Sequence, residues 1–184
     1  MPELPEVEVV RAGLAPAVDG ATIESVTVFD ERSLRRHVGP SEDFVHRLGG
    51  RRMLVPERRG KFLWIPLAAQ DAGTEPDEVL MVHLGMSGQV LLRDREADDR
   101  LTRIRLDIAS EVNGALRLNF VDQRIFGSMA IDHLVVAADG LGRRVPSQVS
   151  HIARDPLDEH FDDRRFLARL AARRTGVKRA LLDQ

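Results

Sequence analysis

Apolar residues open the chain at helical spacing. Val7, Val10, Leu14 and Val18 recur three or four residues apart, so residues 5–18 read as an amphipathic helix closed by Gly20. Pro5 suits the first turn, and Glu6 and Glu8 favour the positive end of the helix dipole. Thr22–Phe29 then reads as a strand, with Ile23, Val26 and Val28 apolar. Arg32–Pro40 is expected as a polar loop. Ser41 reads as the cap of a short helix through Leu48, with Phe44, Val45 and Leu48 inward.

Short β-like runs follow at close spacing: Met53–Glu57, Lys61–Leu67, Val79–Leu84, Gln89–Leu92, Ile104–Ile108, Leu116–Val121 and Ser128–Ile131. Breaks are expected at Gly60, Pro66, Gly73–Pro76, Gly85, Asn113-Gly114 and Gly127, and Asn113-Gly114 carries the signal of a two-residue hairpin. Short strands at this spacing suggest an α+β chain, a two-sheet β-sandwich with the opening helix lying along it. Composition shifts near Ala138-Asp139-Gly140, and 141–150 reads as linker. Phe161–Arg173 and Val177–Gln184 return to helical spacing, with Phe166, Leu167, Leu170, Val177, Ala180 and Leu181 expected inward. The last pattern stops without a cap, so the chain reads as truncated. The expected division is a sandwich domain over 1–138, a linker over 139–160 and the start of a helical domain over 161–184.

Composition narrows the class. With 184 residues, 43% hydrophobic and 30% charged, the chain suits one or two domains with a real core. No apolar run approaches the ~18 residues of a membrane span. The acidic, Pro-rich start is unlike a signal peptide, and cysteine is absent, so a cytoplasmic protein is the simplest reading. Net charge is −2, yet six basic residues against one acid lie between Arg47 and Lys61. Seven basic residues and no acid lie between Arg164 and Arg179, so two basic faces are expected. Of the 27 basic residues only Lys61 and Lys178 are lysine. In such a chain a lysine can mark a site that needs a compact ammonium able to change its protonation state, and chance is the rival explanation.

Candidate chemistry starts at Met1-Pro2-Glu3-Leu4-Pro5-Glu6. Removal of Met1 would leave a free secondary amine on Pro2 beside the Glu3 carboxylate. An α-amino group ordinarily titrates at about 7.7–8.0, against about 10.4 for lysine, so it acts as a Schiff-base nucleophile with little tuning. A helix start alone explains Pro5, Glu6 and Glu8; it does not require Pro2. Downstream, Gly60-Lys61 opens a strand, His83-Leu84-Gly85-Met86-Ser87-Gly88 is a Gly-bounded turn, and Asp122-Gln123-Arg124-Ile125-Phe126-Gly127 is a loop bearing a cation and an aromatic. Singly each has an ordinary explanation: a solvated strand end, a core methionine, an exposed arginine beside a buried phenylalanine.

Together, in this order, these stretches resemble the formamidopyrimidine-DNA glycosylase family, the Fpg/MutM branch of the Fpg/Nei superfamily. The resemblance runs from Met1–Glu8 to Lys178–Gln184, and Leu4 favours this branch over Nei. It implies a bifunctional glycosylase and lyase of base excision repair that releases oxidised purines such as 8-oxoguanine and formamidopyrimidines, then cuts the strand by β,δ-elimination. The implied nucleophile is Pro2. Glu3 would protonate the sugar ring oxygen, Glu6 would help hold the charge arrangement, and Lys61 would contact the lesion phosphate and support β-elimination. Met86, Arg124 and Phe126 would fill the gap left by the extruded nucleotide, a device general to proteins that kink DNA. His83, Arg103, Arg173 and Lys178 would be further DNA contacts, with the two basic runs on phosphates. The implied partner is damaged double-stranded DNA, bound by a monomer, without membrane contact, in the bacterial cytoplasm and nucleoid.

Departures qualify the resemblance. Ile125 replaces the second arginine of the family's Asp-Pro-Arg-Arg-Phe-Gly, and Leu101-Thr102-Arg103 stands where a His-x-His element is usual, leaving Arg103 as its possible substitute. The family continues into the rest of a helix-two-turn-helix, a recognition loop and a zinc finger on four cysteines. None of these lies in the present sequence, so no cofactor is expected within it. Residues 161–184 would be the first helices of the incomplete helix-two-turn-helix. By itself the chain is expected to be weak or inactive. The rival readings are a Nei-type oxidised-pyrimidine glycosylase and a non-catalytic DNA-binding fragment.

Overall fold

The computed structural model describes residues 3–69, 75–137 and 141–182. Pro2, the break at Gly73-Thr74, the composition shift at Ala138–Gly140 and the last two residues therefore lie outside the described residues.

Helix α1 spans Leu4–Val18 and buries Val7, Leu14 and Val18, with Val10 half-buried, as its spacing requires. Nine strands form two antiparallel sheets. The first contains β1 (Thr22–Val28), β5 (Gln89–Arg93), β6 (Thr102–Ser110) and β7 (Gly114–Val121) in the order β1-β6-β7-β5. The second contains β2 (Glu57–Arg59), β3 (Phe62–Leu67), β4 (Glu78–His83), β8 (Ser128–Val136) and β9 (Arg144–Pro146) in chain order. The main core lies between them. Ile104, Leu106, Ile108, Leu118 and Phe120 from the first sheet meet Leu63, Ile65, Leu80, Val82 and Met129 from the second, and α1 and α2 (Ser41–Leu48) add Val7, Leu14, Phe44 and Leu48. The α+β sandwich with a flanking N-terminal helix is present.

Several local expectations change. Ser41 is the first residue of α2, not its cap; Pro40 holds the cap position, and the Ser41 hydroxyl donates to Glu31 Oε1 at 2.6 Å. Arg32–Pro40 is not wholly a loop, because a 3₁₀ turn over Glu31–Leu34 buries Ser33 and Leu34. Met53–Glu57 contributes only isolated bridges through Arg52 and Met53, and the strand begins at Glu57. Pro66 does not break β3. Its carbonyl accepts from Leu54 N at 2.9 Å, so the N–H it lacks would have faced that bridging segment and not β4. The β6–β7 turn is three residues, 111–113, with Ser110 paired to Gly114 at φ +65°.

The stretch read as linker carries structure as well. β9 pairs with β8, a 3₁₀ turn covers Ser147–Val149, and Val149 and Ile152 bury against Trp64, Val79, Met81 and Ala130 on the outer face of the second sheet. Beyond it, α3 (Asp163–Ala171) and α4 (Val177–Leu182) contact each other, but α3 buries no residue. Leu167, Val177 and Leu181 are more than half exposed, against the inward packing their spacing suggests.

Candidate active site

Glu3 caps α1 in extended conformation, and its backbone N–H donates to Glu6 Oε2 at 3.0 Å, the arrangement of a capping box. Glu6 thus acts first as an anchor of the helix start. Lys61 sits in the two-residue connection Gly60-Lys61 between β2 and β3, where Gly60 takes φ +58° as the first position of a tight hairpin demands. From there Lys61 Nζ lies 2.9 Å from Glu3 Oε2. Two residues 58 positions apart, both singled out by motif, therefore meet at the helix start. Pro2 is one peptide bond from Glu3, although its own position is not described.

The helix and the hairpin are tied together by residues that the motifs did not flag. Glu8 receives Arg11 at 2.6 Å and Arg58 at 2.8 Å, and Arg58 also donates to Asp155 Oδ2 at 2.9 Å and to the Gly60 carbonyl at 3.1 Å. Arg11 adds a bond to the Pro56 carbonyl at 3.3 Å. The hydrogen bond from Arg11, reinforced by Arg58 and opposed by partial burial, brings the pKa of the Glu8 carboxyl down to about 2. The ionised network fixes where α1 stands relative to the Lys61 hairpin. Only the i, i+3 spacing of Glu8 and Arg11 was visible in the sequence.

The second group gathers on two loops. Met86 and Phe126 are 43% and 47% exposed, high for large apolar side chains, and Arg124 is exposed with Nη1 3.9 Å from Met86 Sδ. Their loops touch backbone to backbone: a methyl group on Gly85 would collide with the Phe126 carbonyl and the Gly127 nitrogen. Asp122, fully buried, accepts from Ser87 Oγ at 2.6 Å, from Arg124 N at 3.1 Å and from Gly127 N at 2.7 Å. Arg35 donates to the Ile125 carbonyl at 2.8 Å and to the Phe126 carbonyl. Neither Asp122 nor Arg35 carried a sequence signal beyond its neighbourhood.

Other expected contacts are placed differently. His83, on β4, packs its ring 5.0 Å from Phe62, and its Nδ1 is buried without a hydrogen-bond partner. Burial, aided by Arg36 and Arg35, brings its pKa down to about 4, so it is neutral at pH 7 and supplies no cation. Arg103 turns inward, donating to the Asp122 carbonyl at 2.8 Å and pairing with Asp30 at 3.5 Å. Most of the basic run from Arg47 to Lys61 is engaged within the chain, although Arg52 is exposed. Arg47 and Arg51 bind Glu78, Arg58 binds Glu8 and Asp155, Arg59 is buried with a bond to the Ala153 carbonyl, and Lys61 meets Glu3. Arg173 and Lys178 are exposed on the C-terminal helical segment, as are the other basic residues of the second run. Among the described residues no cluster of His, Cys, Asp or Glu could hold a metal, and no helix is long and apolar enough to cross a membrane. With no cysteine in the sequence, the zinc that the resemblance implies finds no ligand set here.

Known proteins are similar to this chain in sequence and fold. Residues 1–129 match the formamidopyrimidine-DNA glycosylase N-terminal domain. A formamidopyrimidine-DNA glycosylase of Leifsonia xyli subsp. xyli is 58% identical over 192 residues, covering all of this chain and 63% of that protein. The protein of the same name from Streptomyces avermitilis is 50% identical, covering all of this chain and 60% of its own length. Both sources are bacteria. The structure of wild-type Lactococcus lactis Fpg (MutM) in complex with N7-benzyl-Fapy-dG-containing DNA superposes with a TM-score of 0.60 at 27% identity, over 72% of this chain and 44% of that one. A complex of the Lactococcus lactis Fpg with abasic-site DNA gives 0.60 at 26%, with the same coverage. The chain spans about three-fifths of the length of the curated relatives it matches. By its sequence and its two-sheet fold, the chain belongs to the formamidopyrimidine-DNA glycosylase family, which it matches through the N-terminal domain.

Proposed function

We propose that the protein carrying this chain is a bifunctional DNA glycosylase and abasic-site lyase acting on oxidised purines in duplex DNA. The observation that carries the reading is the 2.9 Å contact between Lys61 and Glu3, the residue that follows Pro2 in the sequence. Once Met1 is removed, that nitrogen attacks C1′ of the damaged nucleoside. The N–C1′ bond forms as the glycosidic bond breaks, the nitrogen gives up its proton, and the base departs with the bonding pair and takes up a proton. Glu3 protonates the ring oxygen as the sugar opens, leaving an iminium ion. Loss of a C2′ proton then expels the 3′ phosphate, with Lys61 placed to hold phosphate and to assist proton removal. Glu6 keeps the helix start in register. Retention of Met1 would acylate the nitrogen and block the first step.

Extruding the nucleotide costs a few kcal/mol of stacking and pairing. Met86 and Phe126 are exposed apolar side chains on braced loops, suited to fill the gap, and Arg124 beside them presents donors to the unpaired cytosine. The exposed second basic run, with Arg173 and Lys178, is proposed as the phosphate-binding surface, and His83 and Arg103 as supports of the site. The division into a catalytic sandwich over 1–138, a connecting stretch over 139–160 and the opening helices of a helix-two-turn-helix over 161–184 is kept as a proposal. So are a monomeric state, a cytoplasmic and nucleoid-associated location, and a zinc finger outside the present sequence; no step above is routed through that zinc.

Excision of 8-oxoguanine opposite cytosine, compared with thymine glycol by the full-length protein, tests the substrate class. The purine lesion is expected to be preferred, and the reverse order would move the protein to the Nei-type reading.

A further inference from the structure

We propose that Asp122 is a positioning residue that locks Met86 and Phe126 into one rigid wedge, so that both loops enter DNA as a unit. The inference rests on the reading of these two side chains as gap fillers. Its physical basis is the use made of one buried carboxylate. Oδ1 holds the Met86 loop through Ser87 Oγ at 2.6 Å and the Phe126 loop through Arg124 N at 3.1 Å; Oδ2 holds the far end of the second loop through Gly127 N at 2.7 Å. The backbone of the same residue is also engaged, its N–H with the Leu101 carbonyl at 3.3 Å and its carbonyl with Arg103 Nε at 2.8 Å.

Backbone strain marks the same place. Leu101 at φ 70° and Ile125 at φ 56° are the non-glycine residues at positive φ among the described residues, and both belong to this assembly. A branched side chain in that region is strained and persists only where its surroundings over-determine it. Asp122 and Arg35 supply that determination from either side of Ile125. A carboxylate offers acceptors on both oxygens, whereas asparagine would turn an NH₂ toward one of the donors. A wedge ordered beforehand loses little side-chain and loop freedom when it enters the duplex, so the clamp acts on extrusion and not on bond breaking.

The test uses the full-length protein with Met1 removed, in wild-type, Asp122→Asn and Ser87→Ala forms. Amide hydrogen exchange at Arg124 and Gly127, measured without DNA, reads the clamp directly. Borohydride trapping on abasic DNA, in duplex and as a single strand that needs no extrusion, reads its use. Asp122→Asn is expected to speed exchange at both amides about tenfold and to lower the duplex-to-single-strand trapping ratio about tenfold, within what small misplacements cost enzymes. Ser87→Ala, which leaves the Gly127 bond in place, should shift Arg124 exchange and the ratio in the same direction by less. Unchanged exchange, or an equal loss on both substrates, would overturn the inference. If Asp122→Asn does not fold, Ser87→Ala carries the test, and an unmoved ratio contradicts it. Absence of wild-type trapping on either substrate would instead contradict the proposed chemistry, and the exchange result would still decide the clamp.

Discussion

The two arginine-rich runs carry similar charge and meet opposite ends. Between Arg47 and Lys61 four of the five guanidinium groups are held within the chain: Arg51 and Arg59 are buried, and Arg47, Arg51 and Arg58 meet the carboxylates of Glu78, Glu8 and Asp155, while Arg52 is exposed. Between Arg164 and Arg179 every basic residue is exposed, on α3, on α4 or in the connection between them, and α3 buries no residue. A count of positive charge therefore does not locate a nucleic-acid surface. Long-range acids decide it: Glu78 and Asp155 are far from their partners in sequence and adjacent in space. Most of the first run works as internal bracing; Lys61, at a hairpin tip, extends to Glu3, and Arg52 is exposed.

Substitution should separate the two runs most sharply. Arg58→Ala removes a mostly buried cation from Glu8, Asp155 and the Gly60 carbonyl, and should cost on the order of 1–2 kcal/mol, since Asp155 loses its arginine while partly exposed Glu8 keeps Arg11. Arg169→Ala, on the exposed helix α3, should stay within about 0.5 kcal/mol. Urea unfolding of both variants measures the contrast, and equal losses would break it.

Acid provides the next contrast. The folded pKa of Glu8, about 2, lies below its ordinary value of 4.5, so its stabilisation is complete above pH 4.5 and is lost as pH falls toward 2. His83 acts earlier. Its folded pKa of about 4 lies below 6.5, so the unfolded chain binds its proton first and stability falls between pH 6.5 and 4, by on the order of 3 kcal/mol in full. A stability profile against pH should therefore begin to drop below 6.5 and steepen below 4.5. His83→Phe should flatten the first part only. A profile level from about pH 7 down to about pH 5 would contradict the burial of His83.

The smallest effect on folding and the clearest on binding should come from the second run. Neutralising Arg164, Arg174 and Lys178 together should leave the unfolding midpoint nearly unchanged. Each phosphate interaction removed should reduce the slope of log affinity for duplex DNA against log salt by about 0.9. A matched loss on neutralising the exposed Arg52 of the first run would blur the comparison instead of sharpening it.

Much of the sandwich could be read from period alone, because Val7, Leu14 and Val18, or Ile104, Leu106 and Ile108, repeat at spacings with one structural meaning. β9 could not. Three residues of Arg-Val-Pro after a Gly-rich stretch carry no period, and only the exposed edge of β8 makes them a strand. α3 and α4 have the period and contact each other, but α3 buries no residue, so spacing revealed their type and not their burial. In the site, Lys61, Glu3, Met86, Arg124 and Phe126 were legible as motif residues. Asp122, Arg35, Arg58 and Glu8 were not, because positioning residues are defined by partners 35 to 91 residues away. Pro66 failed as a break for a related reason: the side of a strand on which an N–H is missing is decided by the neighbouring strands.

We propose Pro2 as the nucleophile, next in the chain to Glu3, which Lys61 meets at 2.9 Å. Borohydride trapping of the processed protein on abasic DNA, followed by mass mapping of the adduct, tests it most directly. A covalent adduct on the Pro2 nitrogen is expected, abolished by Pro2→Gly or by an N-terminal extension and sharply reduced by Lys61→Ala. No adduct from a chain proven to begin at Pro2, or an adduct on Lys61, would contradict it.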